Sequence, residues 1–383
     1  MKTQIISEGN ISINVPLSDD TSNFLPSSAA VFYNPQTELN RDITTAVVSA
    51  FISYKELDPC SLLYADIMSA TGIRGIRIAT EVGLKCHMND WSLAAYQLIQ
   101  DNLRVNNLQA QCSVSHQNAN TLMHQESFDI VDLDPFGSPA PYLDSSARCV
   151  RKLLCITATD TAPLCGAHLA SGIRKYSAYP LNTEYHKEMG ARILLGAAVR
   201  ALALHDKGVK VLLTHATRHY VRSYLEIIQG ASVADKTIEK MGYISHCFNC
   251  GFRQWHFGLV PGLEQECQNC HGLLNFAGPL WLGSIQDPGF CQVVLDQLDD
   301  RRPGKWKQAV KIVAFCQEEI DIPTYYDQHR LCKKQKISPG PIDKLVSVLK
   351  KEGFASSRTH FSGTGFKTDA SIVEIKKVLH RFL

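Results

Sequence analysis

The chain has 383 residues, 45 % hydrophobic and 20 % charged, which fits a globular protein of two or three domains and excludes wholesale disorder. Its longest apolar run, 193–204, is broken by Gly196 and Arg200 and falls short of the roughly 18 residues a membrane span needs. The net charge of +2 hides an asymmetry: 8 Lys+Arg face 16 Asp+Glu in 1–150, but 31 face 21 in 151–383. That pattern suits one part handling a small ligand and another meeting a polyanion, although a solvated basic face would look the same.

In chain order, residues 1–8 lack the apolar stretch of a signal peptide, so a cytoplasmic protein without membrane contact or an obligate protein partner is expected. Phe32-Tyr33-Asn34-Pro35 reads as a turn before a helix start at Asn40-Arg41-Asp42. Residues 62–68 form an apolar run of strand length, followed by the turn 69–75 and a helix from Ile76. A second strand, 85–89, ends at Asp90 and leads into a helix carrying Leu93, Ala94, Tyr96, Leu98 and Leu103. Strands follow at 110–116 and 127–133, then a helix at 142–151 and a strand at 153–159. Strands alternating with helices at this spacing predict a parallel sheet covered on both faces. Asn182 is placed to cap a long helix over 183–205, which Gly208 ends. The apolar runs 209–215 and 219–228 are too close together for a crossover connection and must pair antiparallel. A parallel sheet finished by such a hairpin resembles the class I methyltransferase version of the Rossmann-like sheet more than the dehydrogenase version.

After Gly230 the pattern becomes α+β. A cysteine-bearing segment occupies about 243–275, helices are expected at 290–300, 305–320 and 339–352, and a polar, turn-rich stretch at 358–368 precedes a closing helix over 370–382. The expected division is therefore 1–230 and 231–383.

Of the 13 cysteines, Cys60, Cys86, Cys112, Cys149, Cys155, Cys291 and Cys316 sit in apolar surroundings and read as small buried hydrophobes. Cys247, Cys250, Cys267 and Cys270 differ: two Cys-x-x-Cys knuckles separated by 16 residues indicate a zinc ribbon in an intracellular chain. Four thiolates leave no open coordination position, so the zinc would be structural. His246, His256 and His271 are near enough in sequence to stand in as ligands.

The chemistry-bearing pattern begins with the turn containing Gly72 and Gly75, between a strand and a helix, with the acidic Asp90 placed 18 positions after Gly72. This is the layout of a nucleotide-binding unit in which glycines admit the ligand to the backbone and the acid accepts ribose hydroxyls. The turn lacks the G-x-G-x-x-G pattern, so adenosine with a small charged tail fits better than a dinucleotide. Asp134-Pro135-Phe136-Gly137 follows the fourth strand, where an open α/β sheet presents groups to its ligand. A carboxylate and a proline carbonyl offer only acceptors, and Phe136 offers a flat face, a set suited to a planar base with an exocyclic amino group. It resembles the Asp-Pro-Pro-Tyr/Phe signature of amino-group N-methyltransferases. Cys165, after the fifth strand, is a weaker candidate for a nucleophile of the kind that pyrimidine methylation uses.

In this order the motifs resemble the tRNA (guanine26-N2)-dimethyltransferase family in its compact archaeal form. The matching stretches are 31–35 with 40–43, 69–77, Asn89-Asp90, 132–139, 157–160 with 162–168, and 358–362. The resemblance implies S-adenosylmethionine as methyl donor and the exocyclic N2 of guanine 26 in tRNA as acceptor. It implies donor-binding roles for Arg41, Gly72, Arg74, Asp90, Asn118 and Ala119, with Asp90 on the ribose and 118–119 at the adenine. Asp134, Pro135 and Phe136 would then serve transfer, with Phe32, Asn34 and Phe136 around the base. The family commonly has Asp where Asn118 stands and Met where Thr37 stands. Some relatives lack the zinc cysteines, which implies that the metal serves folding or tRNA docking. Two other classes remain compatible with the residues: an N-methyltransferase for another nucleobase or a protein amine, and a zinc-ribbon RNA-binding protein without catalysis.

Overall fold

The computed structural model describes residues 2–17 and 30–382. An N-terminal hairpin pairs β1 (Thr3–Glu8) with β2 (Ile11–Pro16), and α1 (Glu38–Tyr54) follows. The central sheet is then laid down by β3 (Leu63–Asp66), α2 (Ile73–Val82), β4 (Lys85–Asn89), α3 (Leu93–Val105), β5 (Cys112–Ser115), α4 (Ala119–Gln125), β6 (Phe128–Leu133), α5 (Leu143–Cys149) and β7 (Val150–Ala158). Short helices α6 (Thr161–Leu164) and α7 (Leu169–Tyr176) lead to α8 (His186–Ala203), and the hairpin β8 (Lys207–Thr217) and β9 (Tyr220–Gln229) completes the sheet.

The strand order is β5-β4-β3-β6-β7-β9-β8. The first five are mutually parallel, and β9 runs antiparallel between β7 and β8. A dehydrogenase sheet continues with parallel strands at that edge; the inserted reversed strand gives the methyltransferase arrangement. Each residue of β6 is buried, as a strand covered on both faces requires.

The remaining elements are α9 (Ala231–Ile238), β10 (Met241–His246), β11 (Arg253–Phe257), β12 (Asn275–Trp281), α10 (Pro288–Arg301), α11 (Trp306–Glu318), β13 (Tyr326–Asp327), α12 (Gln328–Gln335), α13 (Ile342–Lys351), β14 (Ser356–Arg358), β15 (Gly365–Thr368) and α14 (Ile372–Phe382). β10 pairs with β11 and β12, and β15 with β13 and β14, in two three-stranded antiparallel sheets. The two faces of the large sheet carry separate cores. One includes α5, α8 and the β10–β12 sheet; the other includes α1, α2, α10 and α11, with Phe290, Val294, Leu298, Val313 and Cys316 fully buried. Helices from beyond residue 230 thus complete the core of the N-terminal sheet.

Several cations of the basic half lie inside the protein. Arg192, Arg222, Arg253 and Lys367 are buried, each with an acidic partner: Lys367 lies 3.0 Å from Glu188 and 2.9 Å from Glu319, and Arg253 pairs with Glu184 between the rings of Tyr185 and Tyr326. Interior charges of this kind require partners, so the positive surplus of 151–383 is not all surface. Two sequence expectations fail locally. Cys60 is exposed, because it lies in a surface turn that Asp58 caps. Asn182 caps nothing: α8 starts only at His186, without a side-chain cap.

Candidate active site

Alternate residues of an extended chain point the same way, so Asp132 within β6 and Asp134 just beyond it belong to one side. Asp132 is fully buried and accepts from the Tyr64 hydroxyl at 2.8 Å and from Arg222 at 2.9 and 2.5 Å, with Arg74 at 3.5 Å. Burial pushes its carboxyl up, but Arg222 and Arg74 outweigh this and hold it below the usual range. Arg74, itself buried, also donates to Asn40 at 3.0 Å and Thr44 at 3.2 Å and to Oδ2 of Asp134. Asp134 is therefore fixed from beneath, part-exposed, and its Oδ1 has no donor among the described residues.

Pro135 is buried and Phe136 is 77 % exposed. The turn behind them is closed by a reciprocal pair: Gly137, at φ +97°, donates to Thr159 Oγ1 at 2.8 Å and accepts from the Thr159 amide at 2.9 Å. Ser138 meets the Tyr176 hydroxyl at 2.8 Å, which donates to Asp160 at 2.6 Å. Across from Phe136 stands Phe32, with ring centroids 5.8 Å apart and planes at 66°. Asn34 shapes the Phe32 loop by accepting from the Gln36 amide at 2.9 Å. The Thr37 hydroxyl donates to the Asn34 carbonyl at 2.8 Å and accepts from Arg41, a bridge that a methionine there could not make.

The second cluster lies at the ends of β3 and β4. Gly72 adopts φ +79°, the left-handed turn from which α2 starts, while a Cβ on Gly75 would stand 2.6 Å from Met88. The glycines thus serve the turn and the close packing of α2 on β4. Asp90 accepts from the Ala70 and Ser92 amides, each at 2.9 Å, which locks its carboxylate between the turn and α3. Burial raises the Asp66 carboxyl to about 7, Arg74 opposing and Asp132 and Asp134 reinforcing the shift. Asn118 is exposed and caps α4, accepting from the Asn120 amide at 2.9 Å, and Ala119 behind it is buried. Arg41 is buried and bound by the Glu8 carboxylate, 2.6 Å from its Nε. An Asp90 carboxylate held by two amides, the left-handed turn at Gly72 that starts α2, and the small Ala119 beside exposed Asn118 are chemically compatible with S-adenosylmethionine.

The sulfurs of Cys247, Cys250, Cys267 and Cys270 lie within 4.8 Å of one another. Cys247–Cys270 and Cys250–Cys267 are both 3.5 Å apart, near the ~3.8 Å edge of a tetrahedron with Zn–S bonds of about 2.3 Å. The fit is to a closed zinc site. The three nearby histidines are engaged elsewhere: His246 with Tyr185, His256 with Ser245, and His271 with Glu266. Lys334 and Lys376 donate to the carbonyls of Phe248 and Cys250 and pin the knuckle to α12 and α14.

The family model for N2,N2-dimethylguanosine tRNA methyltransferases matches residues 9–380. The chain belongs to this family. It is 51 % identical, over 99 % of both chains, to the tRNA (guanine(26)-N(2))-dimethyltransferase of Methanosarcina mazei, and 44 % identical to that of Haloarcula marismortui over 97 % of this chain and 98 % of the relative. Among solved structures, Trm1 from Pyrococcus horikoshii in complex with S-adenosyl-L-methionine superposes with a TM-score of 0.87 at 34 % identity, covering 98 % of this chain and 99 % of that one.

Against this family background, the structure brings Phe32, Phe136, Asp134 and Pro135 together and sets Gly72, Asp90, Asn118 and Ala119 at neighbouring strand ends. Arg41 and Arg74 are engaged by protein groups, Arg74 by Asp134 itself. Cys165 does not suit a nucleophile, since burial pushes its thiol up to about 12. Sequence reasoning missed Asp132, Arg222, Tyr64 and Tyr176. Of these only Asp132 stood within a quoted motif, and the ladder of ion pairs beneath Asp134 becomes visible only when β3, β6, β7 and β9 are side by side.

Proposed function

We infer that this protein is an S-adenosylmethionine-dependent tRNA (guanine26-N2)-dimethyltransferase. The observation carrying this reading is the Asp134 carboxylate, clamped by Arg74, beside the Pro135 carbonyl and two exposed phenylalanines; among the described residues neither the second Asp134 oxygen nor that carbonyl has a donor. S-adenosylmethionine supplies a methyl group made electrophilic by its sulfonium. The guanine N2 lone pair is delocalised into the ring and is a poor nucleophile. The Asp134 carboxylate and the Pro135 carbonyl accept hydrogen bonds from its two N–H groups, drawing the nitrogen toward tetrahedral geometry, and Asp134 takes the single proton released on transfer. General-base help of this type contributes about 10²–10⁴-fold. Phe32 and Phe136 hold the base, which has to leave the folded tRNA to reach the cleft.

For the donor, we propose that Asp90 receives the ribose hydroxyls and Asn118 and Ala119 border the adenine. Gly72 gives the turn its shape, and Arg41 and Arg74 brace the two loops around it. Asn34 sets the Phe32 loop. Residues 231–383, with their zinc ribbon and the lysines of α12 and α13, are proposed to dock the tRNA. No helix among the described residues is long and apolar enough to cross a membrane, and we place the enzyme in the cytoplasm, with tRNA as its partner.

The test is nucleoside mass spectrometry of unmodified tRNA incubated with protein and donor, with guanine 26 present or replaced. N2-methylated guanosine should form only with guanine 26, and Asp134→Ala should lose transfer at least 100-fold while binding donor within a few-fold of wild type. Equal loss of donor binding would make Asp134 part of the donor site instead.

A further inference from the structure

Burial alternates along the segment that brings Phe32 to the site: Val31 is 3 % exposed, Phe32 36 %, and Tyr33 is half-buried. Neighbouring side chains of such a segment face different ways, and these three go to three different places. Tyr33 packs against the core that contains α1 and the β1–β2 hairpin, with the Arg41 guanidinium 5.9 Å from its ring. Phe32 meets Phe136. Val31 instead forms a small cluster of its own with Ala95 and Leu98 of α3, and Ala70 and Ala94 pack against it. One step along the chain therefore separates a ring of the base site from an anchor in the turn and helix of the donor site.

Both walls of that anchor hang from Asp90. Its Oδ2 accepts from the Ala70 amide and its Oδ1 from the amide of Ser92, which caps α3. A carboxylate has about four lone-pair sites, so it can take a diol on the rest and fix turn and helix together. Ala70 itself supplies an independent observation. It stands at φ +50°, a conformation that strains a side chain and suits glycine. Glycine would make the same hydrogen bond to Asp90 without strain; what alanine adds is a methyl, and that methyl lies against the Val31 cluster. One valine, one leucine and three alanines bury little surface, and segments held so lightly are the ones that open locally.

We propose that Val31 is a positioning residue that couples the donor site to the base site. Donor bound at Asp90 fixes the Ala70 turn against α3, Val31 stays seated between them, and Phe32 is held opposite Phe136 to receive the guanine. Without donor the seat rests on two amide bonds and a small cluster, and Phe32 is held less often. The proposal rests on the reading of S-adenosylmethionine as donor and guanosine 26 as acceptor, and adds a link between their sites. Linkage makes the effect mutual: if donor tightens tRNA binding, tRNA tightens donor binding by the same factor.

The experiment measures equilibrium binding of the full chain to S-adenosylhomocysteine, which permits no turnover, and to tRNA carrying guanosine 26, each with and without the other. In the wild type each ligand should bind about tenfold tighter when the other is present, within the usual range for coupled sites. Val31→Ala should bind S-adenosylhomocysteine alone within about twofold of wild type and show coupling below about threefold, while Val31→Ile keeps most of it. Ala70→Gly should also lose coupling although it relieves backbone strain, so that the loss does not follow Tm; if Val31→Ala fails to fold, this variant decides. Independent binding of the two ligands by the wild type, full coupling in Ala70→Gly, or a loss of S-adenosylhomocysteine affinity alone as large as the lost coupling would each overturn the proposal. Should the wild type not methylate guanosine 26, the functional reading fails; methylation there with independent binding refutes the coupling alone.

Discussion

Replacing Phe136 separates folding from recognition more cleanly than any other change at the site. Its ring is 77 % exposed and, among the described residues, its one ring partner is Phe32, so Phe136→Ala should alter stability by no more than about 0.5 kcal/mol, as for other surface positions. Binding should respond far more. The two rings meet edge to face at 5.8 Å, whereas a base stacked between them needs about 7 Å, two contacts of roughly 3.5 Å. The rings must part by about 1 Å and then close on the purine. Base–aromatic stacking is worth about 1–3 kcal/mol per base, or about 5- to 150-fold in an equilibrium constant. Single-turnover methylation at subsaturating tRNA, measured alongside calorimetric Tm, reads both effects. Phe136→Ala should lower the rate within that range with Tm held within a degree or two, Phe136→Leu should recover little, and Phe136→Tyr most of the rate. If leucine works as well as phenylalanine, or if the rate loss tracks a lower Tm, stacking is not what Phe136 does.

Metal analysis should find one zinc per chain; chelation, or Cys250→Ser, should remove it and raise amide exchange over 241–281 while S-adenosylmethionine titrations stay within a few-fold of wild type. Gly75→Ala puts a methyl 2.6 Å from Met88, an overpacking expected to cost about 1–3 kcal/mol, measurable as a lower denaturant midpoint that Met88→Ala partly restores. Asp66 gives a pH effect of defined sign. Its carboxyl is raised to about 7 in the folded protein, so the native state binds this proton more tightly than the unfolded chain. Its contribution is complete below about pH 4 and is lost as pH rises toward and through 7, up to roughly 4 kcal/mol. Denaturant midpoints from pH 5 to 8 should decline in the wild type and flatten in Asp66→Asn; parallel profiles would place the titration elsewhere.

Much of the fold was legible because its signals are local. Apolar runs of strand length alternate with helical segments, and the few residues between β8 and β9 forced the reversed pair. Asp90 and Asp134 were legible for the same reason: each ends a strand, and the sheet delivers strand ends to one edge. What stayed hidden depends on partners distant in sequence. Arg74 sits in the glycine turn and reads as a donor-site residue, yet its guanidinium meets Asp132 and Asp134, some sixty positions away. Gly75 reads as a ligand-facing glycine, but Met88 of the neighbouring strand explains it. Asn182 has the right chemistry for a cap, and Thr183–Tyr185 nevertheless remains outside the helix because Tyr185 turns into the core against His246. Nothing in a linear pattern says that α10 and α11 fold back onto α1.

That return of α10 and α11 orders the birth of the molecule. Until the ribosome has released the chain as far as Glu318, one side of the sheet shows bare aliphatic surface where Phe290, Val294, Leu298 and Val313 will lie. A nascent polypeptide that already contains Phe32, Asp134 and Phe136 is therefore still unfinished. Fragments ending at the second knuckle should emerge as sticky, chaperone-bound species, and an enzyme shortened from its C-terminus to that point should show no methylation.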